Sequence, residues 1–375
     1  MSLRPIPAAV AALTMVSTLA LPVMSAQERR VVRGGPDQGP PLAPPPINAS
    51  MTKDELSRAL EAYLAPLVAN DEFAGVVLIA KDGQPVYQGA YGLADRERKT
   101  PVTTTTRFNY ASIGKAFTRT AIGQLLGQNK LASTDTVGKL LPDYPNEQTR
   151  AATVEQLLNM RGGIADFFGP AFDAAPKSQF ASNADYFRLV ANQPPLFAPG
   201  AREQYCNGCY IVLGAIIEKV SGMPYESYIA EHVFKKAGMT GAGFSAADPR
   251  GAARGYTRRG PDGPGGPLRD NASMHGAVGS AAGGSYGQAS DLLAFDNALR
   301  EQRLLDAKMT GWYFDMPAAA PPGRVAGLNG GIAGGAPGIN SLLESAGPWT
   351  VIVVSNLDPP SATRLGAAIA KALTE

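Results

Sequence analysis

Two apolar runs, Gly75 to Ala80 and Pro85 to Gly89, flank Asp82-Gly83, the strongest short-range hairpin signal in the chain. Another buried-strand pattern, Trp349 to Val354, stands almost at the opposite end, after the turn Ala346-Gly347-Pro348 and before the stop Asp358-Pro359-Pro360. The middle, about 131–300, reads instead as helical pieces: 153–160, 209–220 closed by Gly222, 225–236 closed by Gly238, and 289–303. Strands at both ends around a helical middle predict one sheet built from both ends of a domain, helices on its faces and a helical insertion. Two helices bracket the sheet. The first opens with a Thr52–Glu55 capping box, repeats Leu56, Leu60, Tyr63, Leu64 and Leu67 at helical spacing, and ends before Asn70; the last opens at Ser361 and carries Leu365, Ile369 and Leu373. The stretch 250–284, rich in Gly, Arg and Pro, is a long loop that the pattern does not place, and no internal repeat is present.

Composition narrows the function. With 375 residues, 45% of them hydrophobic and 18% charged, the chain holds enough apolar material for a large core, which excludes disorder. Lys plus Arg number 34 against 32 acids, a formal charge of +2 without a basic stripe, which argues against a nucleic-acid partner. Two cysteines and two histidines, His232 and His275, are too few for a metal cage, so the expected mechanism uses neither metal nor cofactor.

Residues 1–26 carry one charge, Arg4, then an uncharged run from Ala8 to Met24 that ends in Ser25 and Ala26. This is the shape of a secretory signal peptide cleaved near Ala26, predicting an exported, periplasmic or secreted protein; an uncleaved anchor is the alternative, opposed by Pro7 and Pro22. No cysteine lies near residue 26 to make a lipobox, and Arg29-Arg30 follow the apolar run, unlike a twin-arginine signal. Residues 27–50, Pro-rich from 35 to 49, read as a linker, and the folded domain as 51–375, with the insertion at about 131–285.

The chemistry begins at Asn109-Tyr-Ala-Ser112-Ile-Gly-Lys115, which leads into an apolar helix carrying Ile122, Leu125 and Leu126. A serine and a lysine three apart on a helix share one side. A serine hydroxyl becomes a nucleophile when a neighbour takes its proton, and an unprotonated amine does that. For any lysine, descending from about 10.4 to about 7 takes about 4.6 kcal/mol from burial or neighbouring cations, so such an amine belongs in a closed pocket. The same pattern recurs as Ser50-Met-Thr-Lys53, where helix capping explains the hydroxyls.

Tyr205-Cys206-Asn207 precedes the helix at 209–220 and offers a phenol to share the base role and an amide to orient an acyl group. Tyr144-Pro145-Asn146 mimics it inside a proline-broken turn and is set aside as structural. Gly330 to Gly338, containing five glycines, is either a flexible turn or a strand edge that lets backbone approach a ligand and present an N–H to an oxyanion.

In this order and separation, the three segments resemble the serine β-lactamase and penicillin-binding superfamily, specifically its class C-like branch of carboxylesterases, D-amino-acid peptidases and transesterases. The resemblance spans about 51–375 and touches Leu157-Leu158, Gly162 to Asp166, Gly238-Met239, Gly283-Gly284 and Asp291-Leu292. It implies an α+β fold, an antiparallel sheet flanked by helices with a mostly helical inserted subdomain. Carried onto this chain, it implies Ser112 as nucleophile, Lys115 and Tyr205 as proton-transfer partners, and Asn207 as a substrate-orienting amide. The oxyanion hole would use the N–H groups of Ser112 and Gly335, beside Gly334. The Ser-Asp-Asn second motif of other members is absent.

One departure matters. Where the family places Lys, His or Trp before x-Gly, this chain has Ile332-Ala333-Gly334, and the alternative register Asn329-Gly330-Gly331 also lacks a cation. A basic residue there helps hold a substrate carboxylate, so its loss argues against true β-lactamase action and favours neutral esters or amides, unless another arginine compensates. Cys206 and Cys209 are either a small disulfide or free thiols; a redox role lacks the surrounding βαβ pattern. His232 and His275 read as bystanders rather than members of a Ser-His-Asp triad. The expectation is an exported serine hydrolase, esterase or D-peptidase-like, that forms an acyl-enzyme on Ser112 from a small-molecule or peptide substrate, with the cell wall as a candidate contact. The alternative is a catalytically silent, penicillin-binding-like protein that binds a cell-wall peptide or a partner.

Overall fold

A computed structural model describes residues 41–248, 251–260, 265–314 and 330–375. The expected signal peptide, most of the linker and Asn329 lie outside the described residues.

Helix α1, Lys53–Ala69, starts where the capping box places it: Glu55 N–H donates to Thr52 Oγ1 and Thr52 N–H to Glu55 Oε2. The hairpin follows as β1, Gly75–Lys81, and β2, Gln84–Tyr91. The chain's far end supplies β5, Gly330–Ala336, β6, Ile339–Ala346, β7, Trp349–Ser355, and the closing helix α5, Ser361–Thr374. The five strands form one antiparallel sheet in the order β2-β1-β7-β6-β5, so the two ends of the domain meet in the pairing of Gly75 with Ser355 through Lys81 with Trp349.

The central strands are apolar at nearly every position because both faces are covered. Val77, Ile79, Val351 and Val353 face Leu56, Leu60 and Leu64 of α1 and Leu365 and Ile369 of α5. Val76, Leu78, Ile352 and Val354 face the opposite way, into the larger core with Phe108, Phe117 and Ile122. Each such fully buried side chain contributes roughly 1.5–3 kcal/mol.

Between the two halves lie β3, Phe108–Asn109, the 3₁₀ turn Ala111–Ile113, and α2, Gly114–Gly127. The insertion then runs through helices at Val154–Leu158, Asn183–Ala191 and α3, Asn207–Ser221, which ends at Gly222 in the left-handed conformation expected of a helix-terminating glycine. Its helical run through Ala237 closes at Gly238, in the left-handed conformation, where the sequence pattern ends it. From there to 285 the described residues form loops, the two-residue pair Tyr256–Thr257 with Arg269–Asp270 and one 3₁₀ turn, Ala272–Met274, because closely spaced Gly and Pro deny the segment a longer helical period. β4, Tyr286–Gly287, pairs with β3 and leads into α4, Ala289–Arg300. The run 330–338 is the largest departure from simple pattern: seven residues, GGIAGGA, form an edge strand with no hydrophobic alternation, its register imposed by β6.

Candidate active site

Ser112 sits in a turn that its neighbours hold on every side. Asn109 Oδ1 accepts from Ala111 N–H at 2.8 Å, Ser341 Oγ on β6 donates to Tyr110 O at 2.7 Å, and Gly284 N–H donates to Ala111 O at 3.1 Å. Tyr110 is fully buried and donates its hydroxyl to Gln288 O. Ala111 adopts φ +47°, a left-handed conformation costly for a residue with a Cβ and sustained by these contacts. On the sheet side, Gly334 presses against the turn: a Cβ there would lie 2.4 Å from Ser112 N, so only glycine allows this approach.

One helical turn on, Lys115 is 3% exposed. Its Nζ donates to Ser112 Oγ at 3.2 Å, to Asn207 Oδ1 at 2.7 Å and to Ala282 O at 2.6 Å, and it lies 4.8 Å from the Tyr205 ring centroid and 5.5 Å from that of Tyr210. No carboxylate is among its hydrogen-bond partners in the described residues. Burial pushes the Tyr210 hydroxyl up to about 12, so it stays protonated and donates to Leu158 O. Tyr205, 38% exposed, places its Oη 2.5 Å from Ser112 Oγ. The nucleophile candidate is thus bracketed by an amine and a phenol, the geometry that proton transfer requires.

Asn207 opens α3, and Cys206, disulfide-bonded to Cys209, caps that helix through Sγ. Of the two cysteine states left open by sequence, the structure holds the disulfide. Asp166 accepts from Asn207 Nδ2 at 2.8 Å, which turns the amide oxygen toward Lys115. Sequence reasoning passed over Asp166 as a site residue, and over the Ala282 carbonyl, because a carboxylate 41 positions before Asn207 and a backbone oxygen carry no local signature.

Ser112, Tyr205 and Asn207 open onto a cavity of about 390 Å³, whose wall includes Gly335, Ala336 and Pro337 from the end of β5. Phe167, Phe168, Phe172 and Tyr186 make a second wall; Phe168 is 47% exposed at the rim. His275 also lines the cavity but bonds to backbone rather than to Ser112: its Nε2 meets Pro337 O at 3.1 Å, and burial lowers its pKa although that hydrogen bond opposes the shift. The unplaced loop therefore contributes a wall of the site. His232 lies elsewhere, its ring against Tyr228, and Tyr144 is buried against Phe187, away from the chemistry. Ser50 hydrogen-bonds to Asn48 beside the first helix. Among the described residues no group of three or more His, Cys, Asp or Glu could hold a metal.

An antiparallel sheet with helices on both faces, a buried Ser-x-x-Lys turn and a tyrosine on the serine define a protein of the β-lactamase and penicillin-binding type. The Beta-lactamase family model matches residues 60–374, and the chain belongs to that family. It is 32% identical over 191 residues to penicillin-binding protein 4* of Bacillus subtilis, a match covering 50% of this chain and 41% of that protein. Esterase EstB of Burkholderia gladioli is 28% identical over 286 residues, covering 68% of this chain and 73% of the esterase. The crystal structure of a penicillin binding protein from Bacillus halodurans superimposes with a TM-score of 0.69 at 25% identity, over 81% of this chain and 98% of that one.

Proposed function

We propose that the protein is an exported serine hydrolase that acts on esters or amides through an acyl-enzyme on Ser112. The observation that carries this reading is Ser112 Oγ held within 3.2 Å of Lys115 Nζ and 2.5 Å of Tyr205 Oη at the wall of a cavity. In the proposed cycle Oγ attacks the substrate carbonyl while its proton passes to the Tyr205–Lys115 pair. The carbonyl oxygen takes up negative charge facing the N–H groups of Ser112 and Gly335. The carbon–leaving-group bond then breaks, the pair returns the proton to the departing oxygen or nitrogen, and water repeats the attack to free the acid.

Asn207, oriented by Asp166, would hold the acyl side of the substrate, and the Phe167–Phe168–Phe172 wall would favour a bulky apolar group there. Likeness to an esterase supports the hydrolase reading, and likeness to a penicillin-binding protein supports acyl transfer on serine. Export rests on residues 1–26, and the Cys206–Cys209 disulfide agrees with an oxidising compartment.

Intact-mass spectrometry of the protein after treatment with a fluorophosphonate, p-nitrophenyl acetate or penicillin tests the proposal. A covalent adduct present in the natural protein and lost in Ser112→Ala is the expected result. Failure of every reagent to label a folded sample would overturn it in favour of a silent binding protein.

A further inference from the structure

Tyr205 and Asn207 stand on either side of Cys206, and Cys206 is bonded to Cys209, three residues on, with Asn207 between the two sulfurs' attachments. The disulfide is therefore part of the segment that completes the site. Tyr205 is 38% exposed, so neighbouring side chains do not enclose it, and its aim at Ser112 follows from its backbone. That backbone is tied upstream by Gln204 N–H, which donates to Met160 O at 3.1 Å, and downstream by the disulfide.

The bonded sulfurs are bedded against the loop that carries Asp166. Cys206 Sγ lies 3.5 Å from Ile164 O, and a Cβ added at Gly162 would stand 2.9 Å from Cys209 Sγ. A Cβ at Gly208 would stand 2.1 Å from Ala165 O, so glycine is required where the two segments meet. Asp166, at the end of this loop, accepts from Asn207 Nδ2 and turns the amide oxygen toward Lys115. Two unbonded thiols need van der Waals separation, and a close-packed bed offers no void to take it up. Cys209 is fully buried against Gly162, so the displacement falls on Cys206 and on the residues flanking it, Tyr205 and Asn207.

From this placement we infer that Cys206 and Cys209 are positioning residues: their disulfide holds Tyr205 on Ser112 and Asn207 on Lys115, and its reduction to two thiols turns hydrolysis down. The inference rests on the hydrolase reading above and adds a means of regulating the same site. The co-reactant is a dithiol. Its thiolate bonds to Cys206 Sγ, the 5% exposed sulfur, and Cys209 leaves as a thiolate that takes up a proton. The second thiol of the reductant then displaces Cys206, leaving two cysteine thiols and the reductant oxidised to its own disulfide. Cys209 N–H, 3.0 Å from Cys206 Sγ at the start of α3, stabilises the negative charge on that sulfur as it departs. In a reducing compartment the site stays slack, and oxidation completes it.

The test compares kcat and KM for p-nitrophenyl acetate in the oxidised protein, in protein reduced with dithiothreitol and desalted, and in the same protein reoxidised. Thiols are counted by intact mass after alkylation of a denatured aliquot, folding is followed by circular dichroism, and identically treated Ser112→Ala gives the background. The folded dithiol form is expected to lose about tenfold or more in kcat, since a misplacement of about 1 Å costs roughly 100-fold, and to recover on reoxidation. The double variant Cys206→Ser/Cys209→Ala keeps an oxygen to cap α3 and cannot form the bond. It should be as slow as the dithiol form and indifferent to reductant, and it decides alone where dithiothreitol does not open the bond in the folded protein. A kcat within about twofold of the oxidised protein, in the folded dithiol form or in the variant, would overturn the positioning role and leave the hydrolase reading standing. Unfolding of both would overturn it as well, because the bond would then serve the fold and not the site. Absence of turnover and of fluorophosphonate labelling in the oxidised protein would remove both readings.

Discussion

Gly334→Ala isolates the contact between the sheet and the nucleophile turn. The added Cβ would stand 2.4 Å from Ser112 N, 2.8 Å from Tyr110 O and 2.8 Å from Ala111 Cβ, about 1 Å short of ordinary van der Waals contact at its closest point. The turn cannot retreat cheaply, since Asn109, Ser341 and Gly284 all bond to it. The strand must yield instead, and Gly335 moves with it. Overpacking of this kind costs about 1–3 kcal/mol, against which the loss of glycine's unfolded-state freedom returns about 0.4–1 kcal/mol. The net expectation is a Tm lower by a few degrees. Activity should suffer more than stability, because a misplacement of about 1 Å at a reacting group costs roughly 100-fold in rate. Gly331→Ala is the control: it lies on the same strand, and its nearest contact would be Leu343 O at 3.0 Å, where a shift of a few tenths of an ångström suffices. Both variants would be assayed by kcat/KM on a p-nitrophenyl ester and by thermal unfolding. Gly334→Ala activity within about threefold of the natural protein, or an equal loss in both variants, would refute the argument that this glycine serves the nucleophile turn.

Tyr205→Phe removes the hydroxyl hydrogen-bonded to Ser112 while keeping the ring beside Lys115; kcat should fall about 10²–10⁴-fold with little change in Tm, and a kcat within tenfold would show that the amine acts without the phenol. His275 gives a pH prediction. Burial lowers its pKa in the folded state below the unfolded value near 6.5, so the unfolded chain binds the proton first as pH falls. Its neutral form imposes no penalty above that pH, and stability declines as pH drops from about 6.5 toward the folded pKa. Urea midpoints measured at pH 7.5 and 5.5 should therefore drop further in the natural protein than in His275→Gln, and equal drops would remove His275 from the account.

Local chemistry made much of this molecule legible before folding. The Asp82-Gly83 hairpin, the Thr52–Glu55 capping box and the apolar run 349–354 each specify an element from a few adjacent residues, and the sheet joining both ends of the domain follows from them. Ser112 and Lys115 belong to the same class, because a spacing of three on a helical turn brings their side chains within reach whatever the rest of the fold does.

Other features exist only through contacts between distant segments. Tyr205 reaches Ser112 across 93 positions, Asp166 turns the Asn207 amide, and Asp358 ties Arg258 to Gly338; no periodicity encodes such meetings. The glycine-rich run 330–336 shows the limit most clearly. Glycine carries no side chain to mark one face, so its own sequence is equally compatible with a loose turn. It becomes a strand because β6 offers a ladder of backbone partners, and it must be glycine at 334 because the nucleophile turn occupies the space a Cβ would need. The sequence by itself determined the elements and the serine–lysine pair, through interactions a few residues long; the tertiary structure decided what surrounds that pair, since burial, approach and charge in the cavity depend on surfaces that folding alone brings together.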